Sequence, residues 1–402
     1  MALLSVAEAL ARVTKGLTPL ESERVTLDQA AGRVLAEDLA ATLTQPPFDA
    51  SSMDGYAVRA SDVATLPAKL KLIGTSVASA GFRGHVGQGE AVRIFTGAPL
   101  PGGADTIIIQ EDAEEGSGVV TVKAASTPGR HIRRRGQDFK QGEVMLTAGT
   151  RLGPRELMLA AAMNQAELPV RRKPKVAILA TGDEVVPPGS ELKPDQIVSS
   201  VPSGLAALIA LYGGEPMSLG IAKDDATSIV TLAQAGSAAD ILLTIGGASV
   251  GERDLVASAL RSIGLEVDFW KIAMRPGKPM LDGRLGHQRV LGVPGNPVSA
   301  LICAQVFLKP MLEKMLGLAD QAHPEPQAVL GEALAANGER EHYMRAVSEW
   351  REDGTRVVRA LPCQDSSLVA ALAEADCLIV RAPHAPALGQ GARVRILPLP
   401  RG

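Results

Sequence analysis

The chain has 402 residues, which at roughly 150 per domain predicts about two to four domains. Hydrophobic residues make up 46% and charged residues 21%, enough core material to argue against large-scale disorder. A net charge of −3 with 3% aromatics argues against a dedicated nucleic-acid binder, while leaving room for a local basic pocket.

The first residues lack a basic n-region and are interrupted by Glu8, so they read as an amphipathic helix over 5–13 rather than a signal peptide. Ser5 and Glu8 have the spacing of a capping box. A second helix is predicted over 29–35, with Asp28 as its N-cap. Residues 46–140 change character, with short strands at 91–95, 106–110 and 119–123 between Gly, Pro and Asp clusters. A helix over 154–164 follows, with Pro154 in its first turn.

From 174 the pattern becomes α/β. The apolar run 176–180 is expected of a strand buried on both faces. Helices at 203–211, 227–235, 252–263 and 298–316 alternate with strands at 217–221, 241–245, 267–272 and 290–293, which predicts a parallel doubly wound sheet. A linker at 323–326 precedes a last domain with strands near 355–360, 377–381 and 392–397. No apolar run approaches the ~18–20 residues of a membrane span. Cys303, Cys363 and Cys377 are odd in number and unclustered, which argues against a disulfide framework and for the cytoplasm.

In open α/β sheets ligands sit outside the carboxyl ends of the strands. Three such ends carry Gly-rich turns: TGDE at 181–184, GGASVGERD at 246–254 and PGNP at 294–297. Glycines let backbone N–H groups approach an anion, and a helix N-terminus adds its dipole, so a phosphate-bearing ligand fits. The same edge collects Asp183, Glu184, Asp224, Asp225, Glu252 and Asp254. Acids beside a phosphate need a cation between them, and oxygen-only donors point to Mg²⁺ rather than zinc. Helix N-capping is the competing reading for Asp183 and Asp225. Lys271, Arg275 and Lys278, in a segment stiffened by Pro276, Gly277 and Pro279, could converge on an oxyanion. The acids and hydroxyls of FDASSMDGYA at 48–57 suggest a shaped loop, and RRRGQD at 133–138 is either its companion or a basic surface turn.

The dinucleotide fingerprint, the P-loop and the zinc motifs are absent. GASVG at 247–251 matches a nucleophile elbow around Ser249, with His287 or His384 as the base. The acids that follow it at once, and the lack of an oxyanion motif, weigh against a serine hydrolase.

Taken together, FDASSMDGYAVR, TGAPLPGGAD, RRRGQD, TGDE, GGASVGERD, WKIAMRPGKPM and GVPGNPVSA resemble, in order, the motifs of the MoeA family of molybdopterin molybdenumtransferases, which is similar to the gephyrin E domain. The resemblance runs from about residue 5 to the C-terminus. It implies an elongated protomer of multidomain fold: a helical linking part (1–45 and 141–173), a β-rich domain (46–140), a central three-layer α/β molybdopterin-binding domain (174–322) and a C-terminal β domain (323–402). It further implies a cytoplasmic, Mg²⁺-dependent transferase of molybdenum cofactor synthesis. Such an enzyme takes adenylyl-molybdopterin and molybdate, inserts the metal and releases AMP.

Carried over by motif, Glu184 and Asp254 would hold Mg²⁺. Asp54, Thr96, Asp224 and Asp254 would be catalytic, with Asp54 and Thr96 reaching the site of the partner in a homodimer. Gly246, Gly247, Ser249, Pro294, Gly295, Asn296 and Pro297 would cradle the nucleotide phosphates. Lys271, Arg275, Lys278 and Ser299, with Arg345 and Ser366 from the last domain, would bind the oxyanion. Ala50, Val201 and Asp376 stand where the family commonly has Asn. Expected partners are a molybdopterin adenylyltransferase and molybdoenzyme maturation proteins, with no nucleic acid and no membrane. A non-catalytic molybdopterin-binding or scaffold paralogue of the same fold is the alternative.

Overall fold

A computed structural model describes residues 3–246, 255–318 and 326–400. The chain forms two compact units, one of Met1–Glu23, Gly32–Ala36 and Val170–Gly402, the other of Arg24–Ala31 and Glu37–Pro169.

Helix α1 (Val6–Thr14) starts where Ser5 Oγ accepts the Glu8 N–H at 3.2 Å. Half of the expected capping box forms, because Glu8 turns forward to Arg12 at 2.8 Å, one turn along the helix. The helix expected over 29–35 does not form. Residues Leu27–Gln29 make a single 3₁₀ turn, and Gly32 then takes φ 74°, which ends any helical run. Val34 and Leu35 are both buried and extended, with Leu35 bridged to Val170, so burial of consecutive residues overrides the helical spacing.

The second unit is built on β1 (Gly55–Val58), β2 (Ala68–Ser76), β3 (Glu90–Ile94), β4 (Thr106–Ile109), β5 (Ala113–Gly116) and β6 (Val119–Val122). They pair in the order β4-β1-β3-β2-β6-β5, with β2 and β3 parallel and the other pairs antiparallel. Alternation sends Val58, Leu70, Val120 and Val122 into one cluster and Ala57, Val92, Ile94 and Ile107 into another. Helix α2 (Pro154–Ala162) opens with Pro at its first turn, as its sequence predicts.

The first unit contains an α/β layer and a C-terminal barrel. Its sheet uses β7 (Lys175–Thr181), β8 (Glu215–Ala222), β9 (Ile241–Ile245), β10 (Leu265–Lys271), β11 (Pro279–Leu285) and β12 (Gln288–Val293), in the order β8-β7-β9-β12-β11-β10. The first four are parallel. Strands β11 and β10 extend the edge antiparallel, so the sheet is mixed rather than wholly parallel. The sequence pattern missed β11, since Pro279, Asp282, Gly283 and Arg284 interrupt its apolar run.

Helices α3 (Val201–Leu211), α6 (Pro297–Cys303) and α7 (Lys309–Met315) cover one face. Helices α4 (Ala226–Ala235) and α5 (Leu255–Ser262) cover the other. Val176, Ile178 and Ala180 of β7 pack toward α3, while Ala177 and Leu179 pack toward α4 and α5, which gives the three layers. The helix expected over 298–316 runs through a turn of π-helix at Ala304–Leu308, just before Pro310, which has no N–H for an α-type bond.

Strands β13 (Gln327–Leu330), β14 (Glu341–Trp350), β15 (Arg356–Ala360), β16 (Cys377–Arg381) and β17 (Arg393–Pro398) close into a ring, β14-β15-β13-β17-β16 and back to β14. Asp376, one of the departures from the family pattern, accepts from the hydroxyl of Ser348 on β14 at 2.8 Å. No described helix is long and apolar enough to cross a membrane.

One buried ion pair ties α1 to the antiparallel edge. Arg289 Nη2 donates to both Asp282 carboxylate oxygens, at 2.8 and 2.9 Å, and to the Arg12 carbonyl at 3.4 Å. Removing one partner of a buried pair strands the other charge in low dielectric. Asp282→Ala is expected to cost about 3–5 kcal/mol by chemical denaturation. The double exchange Asp282→Leu with Arg289→Met should recover most of that loss.

Candidate active site

Strands β7, β9 and β12 are parallel neighbours, so their carboxyl ends open side by side. A cavity of about 720 Å³ lies at these ends, within the size range of small-molecule sites. Its wall includes Glu184 after β7, Asp224 after β8, Gly246 after β9 and Pro294, Gly295, Asn296 and Pro297 after β12. Val185, Ile197, Val198, Val201 and Val369 add apolar surface suited to a flat ring. Val201, another departure from the family pattern, thus belongs to the cavity wall.

Close backbone approach explains the glycines. Gly246 has φ 85°, and a Cβ there would stand 3.2 Å from both the carbonyl and the hydroxyl oxygen of Thr181. At Gly182, φ 138°, a Cβ would come within 2.8 Å of Glu184 Oε2. Glycine at 182 therefore leaves the room that the Glu184 carboxylate occupies.

The β7 and β8 loops are laced together by their acids. The Asp183 N–H donates to Asp224 at 3.4 Å, and the Asp224 N–H donates to Asp183 at 3.2 Å. Asp225 instead caps α4, accepting from the Ser228 N–H at 2.8 Å, so the capping reading holds for Asp225. Asp183 is a loop tie rather than a cap. Gly247, Ser249, Glu252 and Asp254 lie outside the described residues, as does the rest of the elbow-like sequence at 247–251. His287 precedes β12 at its amino end, the opposite edge from the cavity, so it is not placed as a base there.

The C-terminal barrel supplies the cavity's remaining wall through one loop. Asn296 Nδ2 donates to Ser366 Oγ at 3.0 Å, and the Val298 N–H donates to the Ser366 carbonyl at 3.1 Å. Ser366 thus seats the loop on the first turn of α6, where Ser299 is buried. Arg345 differs from its expectation as an oxyanion ligand. It is 1% exposed, and its guanidinium donates to the carbonyls of Cys363, Asp365 and Leu368 at 3.0, 2.8 and 3.1 Å. It holds the loop and does not form part of the cavity wall. Gln364 closes the clamp, donating to the Arg345 and Leu361 carbonyls at 3.0 and 2.8 Å. The sequence carries no signal for Gln364, nor for Ser367, a wall residue beside Ser366.

The basic segment is displaced from the cavity. Pro279 belongs to the wall, but Lys271, Arg275 and Lys278 are exposed and outside it. Lys271 ends β10, and Arg275 pairs in register with His342 of the barrel. Burial, with Arg275, Arg340 and Arg381 nearby, pulls His342 down to about 4, so it is neutral at pH 7.

In the other unit three motif loops converge. The 49–54 loop bonds to the 96–100 loop through Ser51 N–H to Ala98 at 3.0 Å and Leu100 N–H to Asp49 at 2.8 Å. Arg134 donates to Asp49 at 2.7 Å, and the Arg135 N–H does so at 2.8 Å, which makes RRRGQD the companion of that loop. Ala50 is buried there and bridged to Pro99. Asp54 accepts from both the N–H and the hydroxyl of Thr96, each at 2.8 Å. These two donors, the N–H first, hold the Asp54 carboxyl below the usual aspartate range.

Among the described residues no group of three or more His, Cys, Asp or Glu is arranged to hold a metal. Glu184 and Asp224 bring two carboxylates to one cavity, an oxygen-donor set suited to a hard divalent cation.

Two outcomes are expected. Thr96→Val removes one of the two donors, so the Asp54 titration midpoint, followed by carboxyl ¹³C NMR, should move up toward that of an ordinary aspartate. Arg345→Ala frees three carbonyls, and amide hydrogen exchange should rise across 361–368 while the α4 and α5 amides stay protected.

Comparison with known proteins agrees with this architecture. Residues 4–164 match the family model "MoeA N-terminal region (domain I and II)", 177–314 match "probable molybdopterin binding domain", and 327–399 match "MoeA C-terminal region (domain IV)". The chain is 35% identical to a molybdopterin molybdenumtransferase of Haemophilus influenzae over 383 residues, 94% of each chain. It is 32% identical to one of Bacillus subtilis over 404 residues, 98% of this chain and 94% of that one. The crystal structure of a molybdopterin biosynthesis MoeA protein from Pyrococcus horikoshii superposes with a TM-score of 0.83 at 32% identity, covering 98% of both chains. The three family models in order, the identity over nearly the whole length and the shared fold place this chain in the MoeA family, a family of molybdenum cofactor biosynthesis.

Proposed function

We propose that this protein is a transferase that inserts molybdenum from molybdate into adenylyl-molybdopterin and releases AMP. The observation that carries this reading is the cavity where Glu184, Asp224, Gly246 and the 294–297 turn meet at the ends of four neighbouring parallel strands. Relatives named molybdopterin molybdenumtransferase, matched over 94% and 98% of this chain, support it.

The turn suits a phosphate. Pro294 and Pro297 have no N–H, and the Val298 N–H is taken by Ser366, so Gly295 and Asn296 supply the turn's remaining backbone donors. The apolar patch of Val198, Val201 and Val369 would shield one face of the pterin from water. Glu184, together with Asp254, would hold Mg²⁺, and Asp224 would complete the acidic side. When bound, the cation would offset the negative charge of the phosphoanhydride. Lys271, Arg275 and Lys278 lie outside the cavity wall and would guide molybdate toward it as a basic approach, with Ser366 as a hydroxyl ligand.

The active unit is read as a homodimer in which Asp54 and Thr96 of one subunit serve the cavity of the other. In this proposal the protomer has four parts, with a linking part at 1–45 and 141–173. The setting is the cytoplasm, with an adenylyltransferase upstream and molybdoenzyme maturation proteins downstream.

The test incubates the protein with adenylyl-molybdopterin, Mg²⁺ and molybdate, and follows AMP by chromatography. Molybdate-dependent AMP release is expected, and its absence favours the scaffold alternative. Asp254→Ala should abolish release while sedimentation shows an unchanged assembly. Mixing Asp54→Ala with Asp254→Ala subunits should restore part of the activity, because only a shared site yields one intact centre per hybrid dimer.

A further inference from the structure

Several polar side chains of the described cavity wall are committed to partners within the chain, which sets what each can still offer a ligand. Glu184 and Asp224 are carboxylates, which accept when ionised. Thr181 spends its hydroxyl proton on the Ile245 carbonyl at 3.4 Å. Asn296 spends one amide N–H on Ser366 and keeps its second N–H and its carbonyl oxygen. Ser367 donates its hydroxyl proton to Asp365 Oδ1 at 2.6 Å, and its N–H reaches the same oxygen at 2.8 Å.

The neighbouring serines therefore have opposite polarity. Ser366 Oγ accepts from Asn296 and keeps its proton, so it can donate to an oxyanion. Ser367 Oγ has given its proton away and offers lone pairs alone. An oxyanion placed against Ser367 would meet only repulsion, whereas an N–H of a ligand would complete its bonding. Asp365 is held below the ordinary aspartate range by the hydroxyl and N–H of Ser367, and remains the ionised acceptor that enforces this polarity at neutral pH.

We propose that Ser367, oriented by Asp365, is a specificity-determining residue that accepts a hydrogen bond from a ring N–H of the substrate. The donor chemistry is the amino and amide N–H edge of an aminopyrimidinone, as the pterin carries. This rests on the substrate reading given above and adds a contact by which the cavity would favour the pterin over flat rings that present no N–H at that position. Asp365 acts through Ser367 as a positioning residue.

The test measures equilibrium binding of adenylyl-molybdopterin and of AMP to the full-length protein, to Ser367→Ala, to Asp365→Asn and to the double variant. Losing one neutral hydrogen bond corresponds to about a fivefold rise in Kd. That rise is expected for adenylyl-molybdopterin in Ser367→Ala, with AMP binding within about twofold, since AMP lacks the pterin edge. Asp365→Asn should weaken the pterin ligand similarly, because its amide can donate to Ser367 and turn the hydroxyl round. The double variant should bind no worse than Ser367→Ala alone. Unchanged pterin binding in Ser367→Ala overturns the proposal, as does an equal loss for AMP, which would mark collapse of the loop. If the unaltered protein binds AMP but not adenylyl-molybdopterin, the substrate reading itself falls, and this contact with it.

Discussion

The parallel pairing of β7, β9 and β12 is the constraint on which the candidate site depends. Parallel strands all point their carboxyl ends to one edge, and adjacency in the sheet brings three turns within a single cavity. Each turn then has to let backbone or carboxylate groups approach closely. Gly182 and Gly246 meet that need where a Cβ would collide with Glu184 or press on Thr181. The acids, the proline-bounded turn and the apolar wall have meaning only because of that shared edge.

A second dependence runs from the barrel to the α/β layer. Arg345 is buried and gathers three carbonyls of the 361–368 loop, and Ser366 then fastens this loop to the first turn of α6. A guanidinium left unpaired in that position would be costly, so the loop and the arginine specify each other. The cavity is thus completed by a segment more than sixty residues beyond the strand ends that define it. Ser367 acquires its hydrogen-bond polarity from the same loop, through Asp365.

Much of the fold was legible in local pattern. The apolar run of β7, the limits of β9 and the N-cap of α1 all follow from periodicity and capping chemistry. Failures came where long-range burial or closure overrode that pattern. Residues 29–35 have helical spacing, yet Gly32 and the burial of Val34 and Leu35 draw them extended. Strand β11 carries Pro, Asp, Gly and Arg, and is a strand because β10 and β12 pair with it. Strand β14 carries Glu341, Arg345 and Glu349, but barrel closure gives it neighbours on both sides.

For the site, residue types and spacing determined which turns bear the chemistry and which carboxylates accompany them, because glycine, proline and acid placement are local requirements. Motif order likewise determined the family. Tertiary structure decided what each side chain does there. It turned Arg345 inward onto carbonyls, made Asp225 a helix cap, moved Lys271, Arg275 and Lys278 out of the cavity wall, and gave Ser366 and Ser367 opposite hydrogen-bonding roles. The physical reason is that a donor or a charge is defined by its partner, and these partners lie far away in sequence or across an element boundary.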